Sequence, residues 1–308
     1  MNNKTNRQRL VESAIISVLG VIISLICTYV PFFNLFISFV GIVYIIITFR
    51  NGIKYGILSA FVSSFLLSLI TDPMYAITLG LVFFLPGISI GYGLNKNKNP
   101  FYSISLGFIT SILVIILYTK LASLIFGIDI VQTLIQTFKE AVEIQEKMMK
   151  DLNVDNTLDS LNIVDMISTV IPSMIVISSI AISFINYYVS IYFLKRIKGI
   201  SKDFPTLKEF TLPGNISFGI SIILLLTLIS STLEWIYYQT LVTNVTLIFF
   251  FMFLLQGIAV FSYIIDKKPK IFKSTIIVLS IFIAPVMLNA ISLIGLADSV
   301  FNFRKIRR

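Results

Sequence analysis

Apolar residues in this chain come in long runs, and several runs exceed the roughly 20 residues a helix needs to cross a bilayer. Of the 308 residues, 56% are apolar and 13% are charged, about half the roughly 25% charge of a soluble domain. The mean hydropathy of +0.94 agrees. These features exclude a soluble globular enzyme. They predict an all-α fold, a polytopic bundle of transmembrane helices. The chain has no histidine, which removes any mechanism that needs an imidazole base or ligand.

About nine apolar segments can be marked off, near 10–30, 32–49, 53–70, 74–94, 101–121, 166–194, 215–233, 241–265 and 276–297. Turn signals separate the early ones: Pro31, Arg50-Asn51-Gly52, Asp72-Pro73 and the polar stretch from Lys96 to Pro100. Such short connections favour sequential antiparallel neighbours. The 29 residues of 166–194 would reach about 43 Å as a helix, so this span tilts or projects from the bilayer. Six spans make a module over 1–200. Two or three more make a C-terminal membrane module over 213–308.

The stretch 126–165 is of another kind, with three lysines against eight acidic residues. Val131, Leu134, Ile135, Phe138, Val142, Gln145 and Met149 recur at three- and four-residue steps. That pattern predicts an amphipathic helix of about five turns, followed by a polar turn region over Asn153–Asn162. The helix would lie on the outer membrane face, cap the bundle, or pack as an ordinary extramembrane helix.

The formal charge of +9 is carried by short loops and the termini, where an anionic cytoplasmic membrane surface attracts cations. That placement argues against a nucleic-acid partner. With the N-terminus in the cytoplasm, 16 Lys and Arg positions fall inside and 4 outside before the tail is counted. The basic N-terminal segment followed by an apolar run resembles a signal peptide, but the run is long and lacks a convincing cleavage site, so it reads as an uncleaved first span. The tail breaks the pattern: nine crossings would leave Arg304, Lys305, Arg307 and Arg308 outside. Either those cations are tolerated there, or the segment interrupted by Pro285 enters and leaves on one face.

No catalytic constellation emerges. One cysteine, Cys27, and no histidine make a zinc site and a disulfide scaffold untenable. There is no Gly-x-x-x-x-Gly-Lys-Ser/Thr run, so energising a pump would need a separate ATPase subunit. The residues call for no cofactor and no metal. The most informative local pattern is Pro86-Gly87 followed by Gly91 and Gly93. Pro86 removes a backbone donor, and Gly87 with Gly91 allows close approach of a helix or a ligand. This reads either as a distorted fourth helix lining a cavity or as a kinked packing interface. Asn186 and Asn289 lie inside spans and are candidate ligand contacts, with Asn244 and Gln256 behind them; each needs a partner if buried. Glu12, Asp72, Glu234, Asp266 and Asp298 all fall near span ends, which weakens a proton-driven mechanism and favours a neutral or lipid-like ligand.

Several short motifs together resemble one family. They are Val11-Glu12-Ser13-Ala14-Ile15-Ile16-Ser17, Leu85-Pro86-Gly87, Ile171-Pro172-Ser173, Asn186-Tyr187-Tyr188, Leu194-Lys195-Arg196, Gly295-Leu296-Ala297-Asp298 and Phe301-Asn302-Phe303-Arg304-Lys305. Across essentially the whole chain they resemble the YybS-like family of bacterial membrane proteins. That family is distantly similar in its first six spans to the S components of energy-coupling factor transporters. The resemblance implies an S-component-like module over 1–200, a substrate-capturing role, and a partnership with a second membrane subunit and ATPases. Ser13 and Ser17 stand where an S-component docking face would carry two alanines, and 213–308 exceeds a minimal S component.

The sequence therefore leads to a membrane transporter or transporter-like solute-binding protein for a neutral or hydrophobic small molecule. It would sit multi-pass in the bacterial cytoplasmic membrane with membrane lipids around it. The competing reading is a membrane scaffold or regulatory partner in the cell envelope. A lipid carrier or membrane enzyme acting on polyprenyl or glycolipid substrates ranks below both, because histidine and mid-span acids are missing.

Overall fold

A computed structural model describes residues 4–96, 99–151, 160–197, 204–232, 238–267 and 287–306, and their regular structure is entirely helical. The helices are α1 Asn6–Tyr29, α2 Gly41–Asn51, α3 Ile53–Ser68, α4 Pro73–Thr78, α5 Leu85–Asn95, α6 Pro100–Phe126, α7 Ile130–Asp151, α8 Ser160–Leu194, α9 Ile216–Thr232, α10 Tyr238–Asp266 and α11 Met287–Phe301. A 3₁₀ turn over Phe33–Val40 leads into α2, and a π-helical stretch over Leu79–Phe84 joins α4 to α5. Six helical stretches are long and apolar enough to cross a membrane: Asn6–Tyr29, Phe33–Asn51, Pro73–Asn95, Pro100–Ile125, Asp165–Leu194 and Tyr238–Asp266.

Of the nine apolar segments expected, six are long enough to cross among the described residues, and shorter apolar helices lie at Ile53–Ser68, Phe218–Thr227 and Met287–Phe301. Helix α3 stops after 16 residues, because Leu69 to Asp72 turn the chain and Pro73 opens the next helix. Asp72 caps that helix by accepting from the Tyr75 N–H at 3.0 Å. Of the segment expected over 276–297, residues 287–297 belong to α11; the remainder, with Pro285, lies outside the described residues, as do Glu234 and residues 153–159. The chain forms two compact units. One holds residues 1–114, 178–217 and 252–308, the other 115–177 and 218–251.

In the first unit, α1 turns Ser13, Ser17, Gly20, Ser24 and Cys27 inward. Ser17 and Ser24 hydroxyls donate to carbonyls one turn back, so these small polar residues bury without orphan donors. The core beside them is built from Tyr44, Ile47, Leu67, Leu79, Phe84 and Ile88. Tyr44 and Phe84 stack with ring centroids 4.0 Å apart. Glycine at position 52, with φ of +101°, makes the sharp break between α2 and α3.

In the second unit, the amphipathic helix expected over 130–150 is α7. Its entrance is set by three residues. Gly127, at φ +67°, closes α6 as an αL cap, its N–H donating to the Ser123 carbonyl, while that of Ile128 donates to Ala122. Asp129 then caps α7, accepting from the Val131 and Gln132 amides at 3.0 and 3.1 Å. Ile135, Val142 and Met149 are half-buried, whereas Leu134 and Phe138 stand exposed.

Pro172 sits inside α8 and interrupts its hydrogen-bond ladder. Asn244 of α10 repairs the break. Its amide oxygen accepts from the Ser173 N–H at 2.7 Å, and its amide nitrogen donates to the Thr169 carbonyl at 2.8 Å. The side chain is thus spliced into the rung that Thr169 and Ser173 would otherwise share. Losing it should leave both groups unbonded in a dry interior, at about 1–3 kcal/mol. Asn244→Leu is expected to lower thermal stability by that amount, and Pro172→Ala in the same chain to restore part of it by letting the rung close. Equal losses with and without Pro172 would show that Asn244 does something else.

Candidate functional site

Proline at position 86 has no N–H, so the turn before it must rearrange. The rearrangement is the π-helical stretch Leu79–Phe84, where the Leu85 N–H reaches back to the Gly80 carbonyl. Between this stretch and α3 lies a groove of about 460 Å³. Ile57, Phe61, Ser64, Phe65 and Ser68 of α3 form one wall; Ile77, Gly80, Leu81 and Leu85 form the other. Gly80 is pressed against the Ser64 hydroxyl, which closes the floor. The groove opens on the outside of the bundle, where Phe61 is 72% exposed. Its only hydroxyls come from Ser64 and Ser68, and Ser68 already donates to the Phe65 carbonyl at 2.7 Å. The lining holds no charge, so it suits an apolar guest of small-molecule size.

The residues singled out from the sequence are placed as follows. Pro86, Gly87 and Gly91 are all buried, and the two glycines face α2 and do not line the groove. Gly87 lies against the Gly41 backbone, and a Cβ at Gly91 would stand 2.6 Å from the Ile45 carbonyl oxygen. Asn186 is buried and donates to the Ser38 carbonyl at 3.0 Å, its amide nitrogen next to Gly41. Gly87 and Asn186 therefore converge on Gly41 at the start of α2, packed directly against it. Asn289 is not brought to that point; it is exposed on α11. Ser13 and Ser17 face inward, and the Asn51 amide lies 2.9 Å from the Ser13 hydroxyl.

A second centre went unread in the sequence. Arg304 and Asp298 are each buried and paired, with Arg304 Nη2 2.8 Å from Asp298 Oδ2. Gln256 of α10 donates to the same oxygen at 2.7 Å. The rest of the guanidinium serves backbone: Nη1 donates to the Lys208 carbonyl at 2.7 Å and Nη2 to the Phe210 carbonyl at 2.9 Å. The Gln256 amide oxygen accepts from the Leu212 N–H at 2.9 Å. Together they satisfy a non-helical stretch that would otherwise bury open peptide groups. The hints in the sequence were Gln256, a polar residue inside a span, and Asp298, an acid near a span end, but nothing joined them to Arg304. Lys208 itself points outward to Asp266 at 2.7 Å, and that hydrogen bond raises its pKa above the ordinary lysine value.

This centre also fixes the tail. Phe204 packs on Phe49 with centroids 5.5 Å apart, next to Arg50 and its partner Glu12, which also pairs with Lys4. The tail, the 204–212 stretch and the N-terminus thus share one end of the first unit. Arg304 and Lys305 therefore lie at the end of the first unit that also carries Lys4, Arg50 and Lys208. Among the described residues, no cluster of three Cys, Asp or Glu could hold a metal ion.

Residues 18–299 match the family described as "Predicted membrane protein (DUF2232)". The "Uncharacterized protein YybS" of Bacillus subtilis (strain 168) is 26% identical over 306 residues, which cover 96% of this chain and 97% of that protein. No solved structure matches.

Proposed function

The chain belongs to the DUF2232 family of membrane proteins, and on that premise we propose that it captures or transports an apolar, lipid-like molecule taken up sideways from the bilayer. The observation carrying this reading is the uncharged groove between α3 and the π-distorted turn before Pro86, open on the outer surface of the bundle. Pro86, Gly87 and Gly91 act on it from behind. The contacts of the two glycines with α2 hold the distorted turn in place. The protein sits in the bacterial cytoplasmic membrane with its cation-rich end, including the N-terminus, in the cytoplasm. If it works as an S-component-like module with a separate ATPase, docking uses a surface other than Ser13 and Ser17, which its own helices cover.

The test is to purify the protein from native membranes and identify what it retains by mass spectrometry. Ile77 lines the groove and is 47% exposed, so Ile77→Trp adds bulk where the guest would sit. It should reduce the retained compound about tenfold, the effect of roughly 1.4 kcal/mol of lost binding. Leu113→Trp, on the exposed side of α6, should leave it unchanged. The envelope-scaffold reading is favoured by α7, a 22-residue helix with both an exposed apolar edge and an acidic face. It takes over if the wild-type protein retains nothing beyond what Ile77→Trp retains.

A further inference from the structure

The stretch from Phe204 to Leu212 does not run along the surface as a loop between spans would. Phe204, Phe210 and Leu212 are all nearly inaccessible, at 2, 2 and 3%. Phe210 meets Phe184 edge to face with centroids 5.1 Å apart. Phe184 stands ten residues before the end of α8, about 15 Å along the helix. The stretch therefore reaches well into the bundle from its cation-rich end. Within it, Thr206 and Glu209 close a single 3₁₀ turn on themselves. The Lys208 and Phe210 carbonyls and the Leu212 N–H within it are held by two side chains, Arg304 and Gln256, both centred on Asp298.

We propose that residues 204–212 are a plug in the cytoplasmic mouth of the first unit, and that the Asp298–Arg304 pair is its latch. Two aromatic rings supply the seal: Phe204 against α2 and Phe210 against α8. The latch supplies what the plug's peptide groups lose on leaving water. A guanidinium fits this task because its planar fork serves two carbonyls and a carboxylate at once. Withdrawing Arg304 strands the Lys208 and Phe210 carbonyls in an apolar setting, so the plug and the latch leave together. The tail thereby controls cytoplasmic access to the bundle from a site remote from the groove. This inference is independent of what the groove holds.

Cysteine chemistry in a Cys27→Ser background tests it. A Phe184→Cys/Phe210→Cys pair should be bridged by a short bis-thiol reagent in native membranes. In inverted vesicles, Phe210→Cys alone should react with an impermeant maleimide at least about tenfold more slowly than Lys305→Cys, as expected for a closed segment. Adding Arg304→Gln should bring the two rates within about threefold of each other, while Ser63→Cys, deep in the helical core, stays unreactive. Lys208→Ala should change neither rate, because the latch uses the Lys208 carbonyl and not its side chain. The proposal is overturned if the 184/210 pair is not bridged. It is also overturned if Phe210→Cys already reacts as fast as Lys305→Cys, or if Arg304→Gln leaves its protection intact. Should Arg304→Gln fail to accumulate, the first two measurements on the unaltered latch still decide.

Discussion

Arg304→Leu should be among the most damaging single substitutions in the chain, costing about 3–5 kcal/mol. The change removes a buried positive charge whose partner, Asp298, is equally buried, and leaves that carboxylate only the neutral donors of Gln256 and the residue-304 backbone N–H among those described. It also strips donors from the Lys208 and Phe210 carbonyls. Replacing both members of a buried ion pair with apolar residues is often harmless. Here the double variant Asp298→Leu/Arg304→Leu should not recover, because the two carbonyls and the Gln256 amide stay unbonded at about 1–3 kcal/mol each. Thermal denaturation in detergent of the two single variants and the double compares them directly. Recovery of the double to near wild type would reduce the centre to a simple ion pair.

Gly257→Ala and Gly295→Ala should each destabilise at or above the upper end of the about 1–3 kcal/mol range for overpacking. At this crossing α10 and α11 touch backbone to backbone. A methyl at Gly257 would overlap the Ile291 carbonyl, and one at Gly295 would overlap the Phe253 carbonyl. No side chain can move aside, so the helices themselves must separate. The crossing positions Asp298 one turn further along α11, so the same variants should also loosen the Arg304 centre. Gly219 in α9 is the control, having nothing within 4 Å of an added Cβ. Gly219→Ala should be neutral or stabilise by about 0.5–1 kcal/mol, the ordinary gain for glycine in a helix interior. Equal behaviour of Gly257→Ala and Gly219→Ala in a thermal melt would contradict the close crossing.

Much of the fold was legible because it rests on local pattern. Long apolar runs announce spans, the three- and four-residue stripe announces α7, and Asp72-Pro73 announces a helix start. Segment lengths were less so: α3 is short, and nothing in the hydropathy of residues 33–40 distinguishes a 3₁₀ turn from α-helix. The site was least legible. Pro86 was noticed for its missing donor, yet the groove forms one turn earlier, where the helix widens to absorb it. Gly87 and Gly91 announced a close approach without telling whether a helix or a ligand approaches. Arg304 read as one more tail cation, since its partners at Lys208 and Phe210 are 96 and 94 residues away. Pairings at such separations leave no trace in a single sequence.

The most direct measurement on the proposed activity is site-resolved photocrosslinking with a photoactivatable lipid in native membranes. Saturable labelling should concentrate on Phe61, Phe65 and Leu81, be displaced by the compound that co-purifies, and fall in Ile77→Trp. Labelling at Leu113 of α6, an ordinary lipid-facing position, should rise linearly with probe and ignore competitors. Groove labelling that is as linear and unspecific as that at Leu113 would contradict a lipid-like ligand site between α3 and the turn before Pro86.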